Sequence, residues 1–369
     1  MQSIAIDLMP GAPGTTHRLQ VLRFGAADAR PKATVQAALH ADEVPAMLVA
    51  LHLRTLLTEL EAAGQIRGCV QLVPCANVLG LNQHVLGRHE GRFDLRDGVN
   101  YNRMHPDLSA ATAAAVAGRL VGDPDRDVPL VRQALRDAAA ALTATTPGQD
   151  LKNRLVQLAI DSDTVLDLHC DSDAAMHLYA LTPHTGLAEE LGSLLGAQAV
   201  LVAEDSGDSP FDESCSRPWL VLRQQHPSLP LACFSSTVEL RGEADTNHEL
   251  ARHDALAIIE FLRRRGVVHG TPAALPAASC RATPLAGSEP VTSPRAGIVV
   301  FHQAPGTRVA AGTLIAEVID PETGTVVPLR CQSEGMLYAR IATRWAAPGK
   351  RLAKIAGTTL ARTGKLLSA

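Results

Sequence analysis

Residues 33–45 read ATVQAALHADEVP. Small and β-branched apolar residues over 33–40 predict a buried strand, which ends in a histidine, His40. Glu43 follows three positions later, and with it starts a helical pattern over 43–63, EVPAMLVALHLRTLLTELEAA, that stops at Gly64. Pro45 falls in the first turn, where its missing N–H costs nothing. Strand, tight turn and helix make the repeating unit of an α/β fold, and the pattern recurs along the chain. CVQLVPCAN (69–77), TVLDLHC (164–170), AMHLYALT (175–182), AVLVAED (199–205) and CFSSTVELRG (233–242) read as strands. Helical segments are predicted over 134–144, after Asp150, from Gly186, and over 247–266, NHELARHDALAIIEFLRRRG. The fold class that follows is α/β: a mixed, mostly parallel sheet flanked by helices. Such sheets gather ligands at the carboxyl ends of their strands, where His40 falls.

The chain has 369 residues, which predicts more than one domain. Composition shifts at 271–290, where TPAALPAASCRATPLAGSEP is rich in Pro, Ala and Ser and reads as a linker. A catalytic domain over 1–270 and a small C-terminal all-β domain over 291–369 are expected on either side of it. The short Gly- and Pro-punctuated apolar runs of the latter resemble barrel-sandwich carrier domains. A carrier needs a lysine at its hairpin tip, and the tip 320–325, DPETGT, has none.

Net charge is −4, from 34 basic and 38 acidic side chains. That provides no general attraction for nucleic acid or anionic lipid and favours a small-molecule partner. The N-terminus lacks a basic run, and no apolar stretch reaches membrane-spanning length. Seven scattered cysteines read as free thiols, which points to a cytoplasmic protein.

Four groups of residues carry chemistry. His40 and Glu43 offer an imidazole nitrogen and a carboxylate oxygen, both ligands for Zn²⁺. His169 ends TVLDLHC as His40 ends its own strand, and His-Glu-His is a ligand set of hydrolytic zinc sites that leaves a position for water. Asp167 is placed to accept the second ring proton of a ligand histidine. His17, His52, His84 and His89 fall in loops or on the long helix and need no such role. The segment 87–107, GRHEGRFDLRDGVNYNRMHPD, reads as a loop in which Arg92, Asn102 and Arg103 can hold a carboxylate. Glu239, inside an apolar strand, is costly to bury unless it is paired or near a metal, where it can take a proton from water. Glu243 is its nearby rival.

HADE, NYNR, LDLH and TVEL, in that order and followed by a β domain, resemble the succinylglutamate desuccinylase/aspartoacylase family of the zinc carboxypeptidase superfamily. Many members read Asp-Leu-Asn-Arg where this chain has Asn100-Tyr101-Asn102-Arg103. The resemblance implies a zinc-carboxypeptidase-like sheet and one Zn²⁺ per chain on His40, Glu43 and His169. It implies Glu239 as general base and acid, and Asn102 and Arg103 on the substrate carboxylate. It also implies an arginine at the oxyanion, for which Arg92 is the candidate and Arg88 and Arg96 the rivals. The expected activity is zinc-dependent hydrolysis of an N-acyl amino acid or related small amide, by a protein free to form a homo-oligomer. A metallocarboxypeptidase for short peptides and a non-catalytic binding protein are the alternatives.

Overall fold

The computed structural model describes residues 1–359 and 361–367. Its centre is a nine-stranded sheet with the spatial order Gln2–Asp7, Arg18–Phe24, Cys69–Val73, Lys32–Ala37, Thr164–Asp171, Phe234–Gly242, His177–Leu181, Ala199–Ala203, Ala282–Pro284. The pairings from Cys69–Val73 through Lys32–Ala37 and Thr164–Asp171 to Phe234–Gly242 are parallel. The Phe234–Gly242 and His177–Leu181 strands pair antiparallel, as does the N-terminal hairpin. The sheet is thus mixed and mostly parallel, and its central strands are buried on both sides because helices cover both faces. Val44–Ala62, Thr185–Leu195 and His248–Arg264 pack on one face around Leu53, Leu168 and Ile258. Pro124–Ala140, Pro147–Ala159 and Phe211–Gln225 pack on the other around Leu135, Leu155 and Trp219. Among the described residues no helix is long and apolar enough to cross a membrane.

The strand predicted over 33–40 ends at Ala37. Ala38 takes a positive φ of 59° and turns the chain off the sheet edge, so His40 lies in a turn just past the strand rather than on it. The amphipathic helix Phe211–Gln225 and the hairpin Gln2–Asp7/Arg18–Phe24 were not among the elements expected from the sequence.

Residues 289–356 build two antiparallel sheets around Val299, Ile315, Leu337 and Ile355. One of them also takes in Asp173–Ala174, which follow the Thr164–Asp171 strand of the large sheet and pair with Gly335–Arg340. Within the stretch 271–290, Ala282–Pro284 adds a ninth strand to the large sheet. The C-terminal unit is therefore bonded directly to the chain that follows His169.

Candidate active site

His40, Glu43 and His169 come together although 126 positions separate the last two. The Lys32–Ala37 and Thr164–Asp171 strands are parallel neighbours, so their carboxyl ends emerge side by side. Ligand atoms of the three residues lie within 4.8 Å of one another, and all three side chains are buried.

Glu43 stands at the N-cap of Val44–Ala62, yet its side chain makes no cap hydrogen bond. Its carboxylate turns inward instead. Oε1 lies 2.8 Å from His40 Nδ1, Oε2 lies 2.7 Å from His169 Nδ1, and Oε2 accepts the Cys170 N–H at 3.1 Å. The far side of each ring is fixed as well. His40 Nε2 faces Asn100 Oδ1 at 2.8 Å, and His169 Nε2 faces Asp167 Oδ2 at 2.9 Å. Those oxygens can only accept, so both rings donate through Nε2 and present Nδ1 lone pairs to the Glu43 carboxylate. Asn100 Oδ1 also accepts the Asn102 N–H, which fixes the orientation of that amide. Asp167 Oδ1 accepts from Gln36 on the neighbouring strand at 2.9 Å. The Arg92 guanidinium lies beside this meeting point, 3.1 Å from His40 Nδ1 and 2.9 Å from Glu43 Oε1, and two imidazoles with one carboxylate form a donor set suited to a divalent metal. The residues present thus fit a metal ion.

Electrostatics divide the two rings. Burial, and next the nearby Arg92 guanidinium, lower the pKa of His40 to about 4, which keeps it a neutral ligand. Burial also disfavours a proton on His169, but the Asp167 and Glu43 carboxylates outweigh it and push that pKa well above the ordinary value. A proton and a metal ion therefore compete for His169 Nδ1.

Around this cluster opens a cavity of about 360 Å³. Glu239 lines it from the strand next to that of His169, in register with His169 itself. Its Oε2 is shut off from solvent and has no hydrogen-bond partner. Burial, and after it the charge of Glu43, raises its pKa to about 8. Glu243, the rival, is more exposed but lines the same cavity. Arg92 Nη1 donates to Glu43 Oε1 at 2.9 Å. Arg96 is paired with Asp94, and Arg88 is exposed in the hairpin His84–Val85/Arg88–His89, so of the three arginines Arg92 is the one lining the cavity.

Asn102 and Arg103 line the cavity too. Asn102 Nδ2 lies 3.3 Å from His169 Nε2, while its Oδ1 accepts the Phe211 N–H at the start of Phe211–Gln225. The loop carrying them is held from beneath by buried Lys152, which donates to the carbonyls of Asn100 (3.1 Å) and Arg103 (2.7 Å). Sequence reading missed Lys152, because nothing near it in the chain marks it as a loop anchor. It also missed Asp212 and Glu213, whose carboxyls are raised to about 6 and about 7 by burial and by neighbouring carboxylates, and Lys354, which crosses from the C-terminal unit to Asp171. All three line the cavity. Ala38, Met104, Asp208, Ser209 and Arg241, each within two positions in the chain of a residue lining the cavity, take positive φ. Such backbone strain persists only where surrounding structure enforces it.

No family model matches the chain, and no curated protein matches it. Solved structures do. A succinylglutamate desuccinylase/aspartoacylase family protein of Shewanella amazonensis SB2B superposes with a TM-score of 0.86 at 27% identity, over 96% of this chain and 98% of that one. A protein of Shewanella frigidimarina assigned to the same family gives 0.86 at 24% identity, over 97% of each chain. The product-bound ectoine utilization protein EutE (DoeB) of Ruegeria pomeroyi shares the fold at a TM-score of 0.67 and 16% identity, over 97% of this chain and 95% of that one.

Proposed function

We infer that this chain belongs to the succinylglutamate desuccinylase/aspartoacylase family, and we propose that it is a zinc-dependent hydrolase of the amide bond in an N-acyl amino acid or related small amide. The observation that carries the reading is the convergence of His40 Nδ1, the Glu43 carboxylate and His169 Nδ1, with the unpartnered Glu239 carboxyl lining the same cavity. His40, Glu43 and His169 would hold the ion, which when bound supplies Lewis acidity that brings the pKa of water down toward about 7.

Glu239 takes a proton from the attacking water as its oxygen adds to the amide carbon. A carboxyl whose proton affinity is raised by burial suits a group that must hold that proton between two transfers. When the carbon–nitrogen bond breaks, Glu239 delivers the proton to the leaving nitrogen, giving a carboxylate and an amine. Arg92 places its guanidinium beside the cluster, where negative charge develops on the former carbonyl oxygen. Arg103 and Asn102 fix the substrate carboxylate, and Lys152 fixes the loop that carries them. The likeness to solved family members at 27% identity supports the reading.

The test is a screen of N-acyl amino acids, dipeptides and longer peptides with the zinc-loaded protein. Hydrolysis of acyl-amino acids, abolished by a chelator and restored by zinc, is expected. Cleavage confined to peptides would instead indicate a carboxypeptidase. A fully metal-loaded protein inert toward every member of the panel would reject the reading.

A further inference from the structure

Residues 361–367 return from the C-terminal unit to the part of the chain that carries the large sheet. Leu367 lines the cavity together with Tyr179, Leu201 and Leu285. A second void of only about 10 Å³ shares Tyr179, Leu285, Arg351, Lys354 and Leu367 with the first and is also lined by Leu366. Leu367 thus lines two spaces that have walls in common. The segment is pinned at both ends. The Leu366 N–H donates to the Ser206 carbonyl at 3.0 Å, and Lys365 Nζ pairs with Asp208 Oδ1 at 2.7 Å. Gly207, at φ +88°, lies so close that a Cβ there would sit 3.2 Å from Lys365 Cα. On the other flank the Arg362 N–H donates to the Ala286 carbonyl at 3.0 Å, and its guanidinium to the Leu366 carbonyl at 3.0 Å. Leu366 is buried among Tyr179, Leu201, Leu285 and Tyr338. The loop it grips reaches the substrate-binding segment in turn, since Asp208 and Ser209 accept the backbone N–H groups of Met104 and His105.

We propose that residues 361–367 form the end wall of the substrate cavity and that Leu367 limits the length of the apolar acyl group lodged against it. This deepens the hydrolase reading and rests on it. Beside Arg351 and Lys354, the stretch of wall made by Tyr179, Leu201, Leu285 and Leu367 is aliphatic and aromatic, and that stretch rewards methylene groups until the chain reaches Leu367. Each methylene buried there is worth about fourfold in binding. A longer chain then clashes with a segment fixed by hydrogen bonds on both flanks.

The experiment compares kcat/KM for the N-acetyl, N-butanoyl, N-hexanoyl and N-succinyl derivatives of one amino acid. It uses the full-length zinc-loaded protein and the variants Leu367→Ala, Leu367→Trp and Lys365→Glu. Leu367→Ala should raise the hexanoyl-to-acetyl ratio at least tenfold, and Leu367→Trp should lower the butanoyl-to-acetyl ratio. Lys365→Glu, which repels Asp208 and loosens the segment without changing the wall, should shift the ratio in the same direction as Leu367→Ala. Equal loss on all substrates would mean a purely structural segment and overturn the proposal, as would a gain confined to the succinyl derivative. If wild type hydrolyses none of the panel, the hydrolase reading fails separately, and calorimetric binding of butanoate, hexanoate and octanoate decides. Tighter binding of the longer acids by Leu367→Ala supports the wall, and identical affinities in both proteins reject it.

Discussion

Glu43 occupies a helix N-cap and leaves the cap unmade. Forgoing a cap costs on the order of 1 kcal/mol, so the carboxylate is committed elsewhere, and its partners are the two imidazoles. The orientation of those rings depends on Asn100 and Asp167, not on the ligands alone. Replacing Asp167 by Ala frees His169 Nε2 and lets the ring rotate or change tautomer. Zinc affinity, measured by competition with a chromophoric chelator, should fall roughly 10- to 100-fold, and an unaltered affinity would remove Asp167 from this role. Glu239→Gln is expected to behave oppositely: zinc content stays stoichiometric while kcat drops by about 100-fold or more. Near-normal turnover in that variant would reject Glu239 as the proton carrier. The meeting of His40, Glu43 and His169 was legible in the sequence because each histidine falls at or just past the carboxyl end of an apolar run, a place where fold geometry collects side chains. Gln36 and Lys152 were not legible. Gln36 meets Asp167 across two strands and Lys152 meets the loop of Asn100 from a helix, and both encounters exist only once the chain is folded.

At the scale of elements, the site depends on close approach between turns. Gly91 passes so near the His40–Glu43 turn that a Cβ would come within 2.3 Å of the Asp42 nitrogen, a contact between backbones with no flexible group to yield. The loop carrying Asn102 and Arg103 rests on Lys152, whose ammonium is buried with only carbonyls as partners and whose pKa burial lowers to about 8. Lys152→Met removes both bonds, so the loop should drift. KM for the substrate is expected to rise about tenfold while zinc content is kept, and an unchanged KM would show that the loop holds itself. The opposite end of the same strands carries a structural cluster. Lys32, Arg30 and Arg136 converge on Asp161, and Arg30 and Arg132 on Asp163. Burial opposes the Asp161 charge, but Lys32 and Arg30 outweigh it and hold the carboxyl below its ordinary pKa. Its contribution is therefore fully present above its unfolded value, about pH 4, and is lost as pH falls through the lower folded value. Asp161→Asn should destabilise the fold by roughly 3 kcal/mol at neutral pH by leaving the Lys32 ammonium without its carboxylate. In denaturant titrations the gap from wild type should narrow below about pH 4, and a gap independent of pH would disprove the linkage. The strands of this sheet were legible from apolar runs, whereas Phe211–Gln225 was not. Its start is acidic and Pro218 interrupts the helical pattern, so only burial of Trp219 and Leu222 against the sheet reveals it as a helix.

For the whole molecule, the two halves of the chain meet at the site rather than across a slack linker. Asp173–Ala174 joins the C-terminal sheet immediately after the His169 strand, Arg340 pairs with Asp173, and Lys354 with Asp171. The sequence suggested a β unit at this end but could not say that it inserts a lysine beside the carboxyls of Asp171 and Glu239, because Lys354 lies 183 positions from Asp171. This junction predicts joint unfolding. Each ion pair is partly buried, and breaking it from one side leaves a carboxylate short of its cation, at a cost of a few kcal/mol. The wild-type protein should therefore melt in a single calorimetric transition whose calorimetric and van't Hoff enthalpies agree. Zinc at about 100 times its Kd should stabilise that entire transition by about 2.7 kcal/mol, since the ligands and the β unit belong to one cooperative structure. In the double variant Arg340→Met/Lys354→Met the junction loses both ion pairs and keeps its short strand pairing and the contacts of residues 361–367 with Ser206 and Asp208, and the peak should split into two, of which zinc moves just the one containing His40 and His169. Two transitions already present in the wild-type protein, with zinc shifting one alone, would show that the halves are energetically independent and that the contacts at the junction orient the cavity wall without sharing its stability.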